Sequence, residues 1–173
     1  LQVTAADSVT PSRVDEADCV LFAGPLPDGR IGKSYAVLGP QEGSPVTFGD
    51  PVAAPTLLDW RQTHPVMRFV NPAGAMFGQV YPVQDAAELT PLVRSDKGPL
   101  ILAGERDGSR IVQLAFDPYT SDLPLRIAWP VLLMNTVGWL TEADGVEEGR
   151  TLQTGQSWTT RLHSDQAETA RLK

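Results

Sequence analysis

Cysteine is nearly absent: Cys19 is the single one in 173 residues, so no internal disulfide can form, and cysteine usage neither demands nor excludes an oxidising compartment. Histidine is almost as scarce, with only His64 and His163, which leaves few candidates for a general base or an imidazole metal site. Positive charge is in deficit. With 14 Lys+Arg against 21 Asp+Glu the formal charge is -7, which repels nucleic-acid phosphates and anionic lipid at long range. No apolar run reaches the ~20 residues that a membrane-crossing helix needs; the apolar, uncharged stretch Ile127–Leu140 is closed by Arg126 and Glu142. The chain opens on "LQVTAAD" without Met, basic n-region or small-residue cleavage site, and so reads as a piece of a longer protein, with any membrane anchor outside it. No internal repeat stands out.

What the chain does have is enough apolar residue, 42%, for a core of its own. "LQVT" (1–4) has strand character, and "ADCVLFAG" (17–24) and "KSYAVLGPQEG" (33–43) are apolar runs ending in Gly-Pro, the pattern of buried strands in a largely parallel sheet. Residues 44–75 read mostly as connection, with a helical turn or two in "TLLDWRQTHPVMRFV". "FGQVYPV" (77–83) and "LTPLVRSD" (89–96) are strand candidates, with Pro82 and Pro91 at an edge or a start. "PLILAGER" and "SRIVQLAF" flank Asp107-Gly108, a dipeptide that tolerates the two positive φ angles of a type I′ turn, and predict a hairpin. Ser121 or Asp122 as cap and Pro124 in a first turn announce a helix. Pro130 lacks a donor, so the regular helix starts near Ala128 or is kinked there. From Val131 to Leu140 only Asn135 and Thr136 are polar, which predicts a helix buried on one face and covered on another. "EADGVEEG" (142–149) marks a boundary, and the weakly alternating tail suggests one or two strands.

The segment "GPLILAGERDGSRIVQLAFDPYTSDLPLRIAWPVLLMNTVGWL" (98–140) resembles the C-terminal part of class I glutamine amidotransferase-like domains, in particular those of bacterial aerotolerance-regulator (Bat) type von Willebrand factor A membrane proteins. "ADCVLFAG", "SYAVLGPQ" and "LLDWRQTHPVMRFV" resemble earlier segments of the same domain. The resemblance implies an α/β fold: a flavodoxin-like three-layer sandwich with a mostly parallel sheet and a C-terminal antiparallel hairpin, here without its first strand. It implies an N-terminally truncated amidotransferase-like domain over 1–142, then a linker and the start of a β-rich segment over 143–173. It also implies a membrane-anchored multidomain protein in which this domain lies on the extracytoplasmic face and meets protein partners or neighbouring domains of the same chain. Nucleic acid is not an expected partner, and the membrane is met only through segments outside this chain.

The chemistry of that family needs a cysteine on a tight strand-to-helix turn beside a histidine base, because a thiolate nucleophile must be both exposed and activated. The equivalent turn here, "AVLGPQEG", has Gly39 and Pro40 at the bend. Cys19 opens the preceding strand and reads as a small apolar packing residue. His64 sits before Pro65 in a loop, and His163 lies in the tail. "GRIGKS" fails as a phosphate loop because position 27 is Pro27 rather than glycine. "DPYTSD" has Tyr119 where a D-x-S-x-S metal motif needs serine, which leaves Asp117 and Asp122 as turn and cap residues; a Ca²⁺-binding carboxylate cluster is the alternative. No catalytic residue, metal ligand or cofactor is therefore assigned. Open α/β sheets bind at the carboxyl ends of their strands, which nominates Gly24, Gly39, His64, Asp117, Ser121, Asp122 and Arg126 as a ligand or interaction edge. The expected function is a non-catalytic scaffold or interaction module. The alternatives are a small-molecule or Ca²⁺ sensor, or a hydrolase with an unfamiliar site at the strand ends.

Overall fold

In the computed structural model, which describes residue 14, residues 16–28, residue 31 and residues 33–141, ten strands and one long helix follow from these patterns. The short apolar runs form β1 (Val20–Phe22) and β2 (Tyr35–Val37), which pair in parallel with Val20 opposite Tyr35. β3 (Thr47–Phe48) and β4 (Val52–Ala53) are two-residue strands. They pair with β7 (Val83–Asp85) and β6 (Gln79–Val80) respectively, as two small antiparallel ribbons. β5 (Leu57–Trp60), β8 (Thr90–Ser95), β9 (Gly98–Arg106) and β10 (Ser109–Leu114) complete the main sheet, whose order is β1-β2-β10-β9-β8-β5.

The expectation of a mostly parallel, flavodoxin-like sandwich is corrected by this register. β2 and β10 are parallel, but β10–β9, β9–β8 and β8–β5 are all antiparallel. Nor does the described part of the 23–34 connection between the parallel strands β1 and β2 contain a helix. The Gly-Pro endings read correctly as strand ends, yet an apolar run ending in a turn carries no information about the direction of its neighbour. Direction is decided by pairings remote in sequence. A second correction concerns "TLLDWRQTHPVMRFV": its first part is β5, an edge strand of the main sheet, and only Pro65–Met67 is helical, as a 3₁₀ turn.

The hairpin lies where Asp107-Gly108 places it, with Ser109 opposite Arg106 and φ of 53° and 75° at the turn. Both angles are positive, as a right-twisted two-residue hairpin requires. Helix α1 (Ala128–Thr141) begins at Ala128, with Pro130 in its first turn, where a missing N–H costs no intrahelical bond. Its buried stripe, Ala128, Leu132, Thr136 and Leu140, recurs every four residues and packs toward β2 and β10. Among the described residues nothing supplies the expected cover on the other face: Ile127, Met134 and Val137 are exposed.

The core is continuous from β2 through β10, β9 and β8 to the loops at the strand ends, with Val37, Leu100, Leu102, Val112, Leu114 and Phe116 among its most buried members. By its contacts the chain divides into Leu1–Glu142 and Ala143–Lys173. The strand expected at 1–4 and the β segment expected in the tail lie outside the described residues. Among the described residues no helix is long and apolar enough to cross a membrane.

Candidate functional site

The carboxyl ends of β1, β2 and β10 form one edge. Phe22 is opposite Val37, so Gly24 and Gly39 each follow two residues behind a paired strand end. Gly39 has φ of 114°, and a side chain there would lie 3.5 Å from the Phe116 carbonyl and 3.8 Å from Cα of Asp117. Glycine is required by the backbone angle, and the bend presses directly against the segment leaving β10.

Beneath that bend lies a residue that the sequence reading passed over. Gln113 is fully buried in β10; its Nε2 donates to the carbonyls of Gly39 and Leu114, both at 2.8 Å. Its Oε1 is buried with no hydrogen-bond partner among the described residues. The amide therefore ties the β2 bend to the end of β10. The available signal was a single polar residue in the otherwise apolar "IVQLAF".

Asp117, Ser121, Asp122 and Arg126 build the adjoining loop, and each is engaged in holding it. Asp117 Oδ1 accepts from the Tyr119 N–H at 2.9 Å and caps the 3₁₀ turn Pro118–Thr120. The Ser121 hydroxyl donates to the Pro118 carbonyl. Asp122 accepts from the Met76 N–H at 2.8 Å and pairs with Arg126 at 2.6 Å. Arg126 also donates to the Gly74 carbonyl, and Phe77 bridges Ser121. The Arg126 guanidinium, then the Met76 N–H, hold the Asp122 carboxyl below its ordinary value, while Asp122 raises Arg126. The charged pair thus clamps residues 74–77 to 120–126 rather than aiming a charge into open space.

His64 is not part of this group. It caps the Pro65–Met67 turn, with Nδ1 accepting from the Val66 N–H at 3.2 Å, and its ring meets Trp139 of α1 edge-on at 5.1 Å. Neither Asp117 nor Asp122 is among its partners. Burial, and then the Arg61 charge, lower its pKa from 6.5, so the folded protein favours the neutral, accepting ring. A base whose folded pKa is depressed stabilises the fold above its unfolded value and loses that contribution as pH falls through 6.5 toward the folded value. The melting temperature is therefore expected to fall more for the unsubstituted protein than for His64→Gln between about pH 7 and about pH 5. Equal slopes in the two melting series would contradict this role of His64.

Cys19, just before β1, is half-buried and free. Burial, and then the Asp18 charge, raise its pKa, which disfavours the thiolate a nucleophile needs. Among the described residues no group of three or more His, Cys, Asp or Glu is arranged to hold a metal ion. At the opposite end of the sheet, a groove of about 210 Å³ is lined by Tyr35, Ser44, Arg106 and Ser109. Burial raises the Tyr35 hydroxyl pKa, against a smaller lowering by Arg106. No sequence motif pointed to this groove, because its residues come from three separate segments.

No family model matches the chain, and no curated protein matches it. Among solved structures it is similar to the cytoplasmic protein STM3548 from Salmonella typhimurium, with a TM-score of 0.47 and 16% identity over 56% of this chain and 43% of that one. The chain thus spans less than half the length of that protein.

Proposed function

We propose that this chain is a non-catalytic, amidotransferase-like interaction module of a larger membrane-anchored bacterial protein, working through contacts with protein partners or neighbouring domains. The observation that carries this reading is the employment of the candidate side chains. Asp117 caps a turn, Asp122 and Arg126 hold each other and the 74–76 backbone, and His64 caps its own turn under Trp139. Acyl transfer needs a nucleophile, a base within hydrogen-bond reach and donors for an oxyanion. Cys19, whose thiolate is disfavoured, precedes β1 at the end of the strands opposite the bend at Gly39, and the His64 imidazole is engaged with the Val66 N–H and Trp139. In the longer protein that the resemblance implies, the module follows membrane helices and faces away from the cytoplasm.

The test is glutamine hydrolysis by the full-length protein, read as ammonia release. No release above buffer is expected. Turnover that disappears in Cys19→Ala would overturn the proposal.

A small-molecule sensor is the second reading, favoured by the groove beside Tyr35 and Arg106. A metabolite that raises the melting temperature of the unsubstituted protein but not of Arg106→Ala would establish it. A panel without such a shift would remove it.

A further inference from the structure

At the amino ends of β2 and β10, the sheet register gathers polar side chains that nothing in the described chain employs. Ser109 and Ile111, two residues apart on β10, share one face of the sheet. Tyr35 of β2 stands opposite Ile111, and Arg106 of β9 stands opposite Ser109, so all four belong to that face. Arg110, between Ser109 and Ile111, instead reaches the Trp139 carbonyl of α1 at 2.8 Å. Helix α1 therefore lies on the other face, and the groove of about 210 Å³ opens on this one.

The wall across from the sheet comes from two loops that are tied together. The Leu26 N–H donates to the Glu42 carbonyl at 3.0 Å, and Ser44 Oγ accepts from the Gln41 N–H at 3.0 Å. Pro27, Ile31 and Pro45 supply its apolar surface. Tyr35 is only 6% exposed and Ser109 only 8%. Yet neither hydroxyl has a hydrogen-bond partner among the described residues, and the Arg106 guanidinium has no ion pair among them. Buried polar groups are ordinarily paired, so two such hydroxyls beside an unpaired cation call for a ligand. They are not sealed in: the enclosed unpaired atoms are Trp60 Nε1 and Gln113 Oε1. Burial raises the Tyr35 pKa, so this hydroxyl keeps its proton and donates.

We infer that the groove binds the carboxylate of a small organic acid, with Arg106, Tyr35 and Ser109 donating to its two oxygens and a short apolar chain lying against Ile31, Ile111 and Pro45. A planar guanidinium matches a carboxylate in charge and in fork geometry. The lining also holds one carboxylate, Asp107, which makes an interaction of its own. With Asp107 at the rim and a net charge of -7, the groove suits a single negative charge better than the roughly -1.5 to -2 of a phosphate monoester. Its volume is below the ~300–1,000 Å³ of drug-sized sites, which limits the acid to a few carbons.

This inference rests on the sensor reading of the same groove and adds a ligand class to it. Amide NMR titration of the intact chain at constant ionic strength tests it, with butyrate, the neutral isostere butyramide and inorganic phosphate as probes. Butyrate is expected to bind with millimolar affinity and to shift the Ser109 and Ile111 amides; butyramide and phosphate are expected to bind at least roughly tenfold more weakly. Arg106→Gln is expected to weaken butyrate at least roughly tenfold, and Tyr35→Phe at least about threefold. Asp107→Asn is expected to tighten it by removing a like charge, since asparagine keeps the turn. Arg106→Gln and Tyr35→Phe are both expected to retain the melting temperature, because neither polar group is bound within the described chain. Butyramide binding that equals butyrate binding and is lost in Arg106→Gln would keep the sensor reading and overturn this inference. No saturable butyrate shift, phosphate binding as tight as butyrate, or butyrate binding indifferent to Arg106→Gln would also overturn it. So would a much lower melting temperature for Tyr35→Phe, which would give that hydroxyl to the fold.

Discussion

Phe116→Ala is expected to destabilise the protein by about 3–5 kcal/mol, the range for truncating a fully buried aromatic. Phe116 is 1% exposed, follows the end of β10, and meets Phe77 edge-on at 4.8 Å with the rings 77° apart. The pair joins the segment leaving β10 to the 74–77 segment, so the substitution opens a cavity beneath the Gly39 bend and the Asp122–Arg126 clamp at once. With total stabilities of small domains near 5–15 kcal/mol, the loss is a large share of the whole. Urea unfolding of the two proteins measures it, and Phe116→Leu, which keeps most of the volume, is expected to recover much of the difference. A Phe116→Ala midpoint within error of the unsubstituted protein would mean that the strand ends are not packed as described.

Gly78→Ala is expected to cost about 1–3 kcal/mol, as overpacking against a fixed neighbour does. The added Cβ would stand 2.6 Å from the Thr120 carbonyl oxygen, which also accepts the Gly78 N–H at 2.7 Å. The obstacle is backbone, held by the bridge between Phe77 and Ser121 and by the Asp117 cap. The loop must therefore move away from residues 74–78, and the Met76–Asp122 hydrogen bond is expected to break with it. Thermal unfolding reads the stability change, and faster exchange of the Met76 amide hydrogen reads the local opening. A melting temperature equal to that of the unsubstituted protein would show that residues 117–122 yield freely.

The parts of this fold that could be read from sequence are those fixed by near neighbours. Asp107-Gly108 specified a hairpin because few dipeptides tolerate two positive φ angles in succession, and Pro130 limited where α1 could begin. Direction and partner choice were not legible. "ADCVLFAG" and "SYAVLGPQ" do form adjacent parallel strands, but β8 and β5 join the same sheet antiparallel, and no local pattern in "LTPLVRSD" or "TLLDW" states this. β5 in particular is short, half-exposed and at an edge, so it lacks the apolar run by which the inner strands are recognised. Helix α1 shows the limit of composition: a nearly all-round apolar sequence predicted burial on one face and cover on another, while the structure leaves Ile127, Met134 and Val137 exposed.

For the site, the topological rule for strand ends brought Gly24, Gly39 and Asp117 to one edge, while Asp122, read as a turn or cap residue, proves to pair with Arg126. His64 went elsewhere, because its Pro65–Met67 turn is fixed by contacts with α1, some seventy residues later in the chain. Gln113 stood out only as a lone polar residue in an apolar run, and its role was hidden for the same reason: only the folded sheet shows that its amide reaches the Gly39 carbonyl from the neighbouring strand.

The claim on which the functional reading depends is that the half-buried thiol of Cys19 is unactivated and unconnected to His64. The rate of Cys19 alkylation by iodoacetamide, followed against pH in the unsubstituted protein and in His64→Ala, tests it most directly. The expected result is a slow reaction at neutral pH that climbs only in the alkaline range, identically in both proteins, because burial and Asp18 raise the thiol pKa. A fast reaction that is already level at neutral pH, and that is lost in His64→Ala, would contradict it.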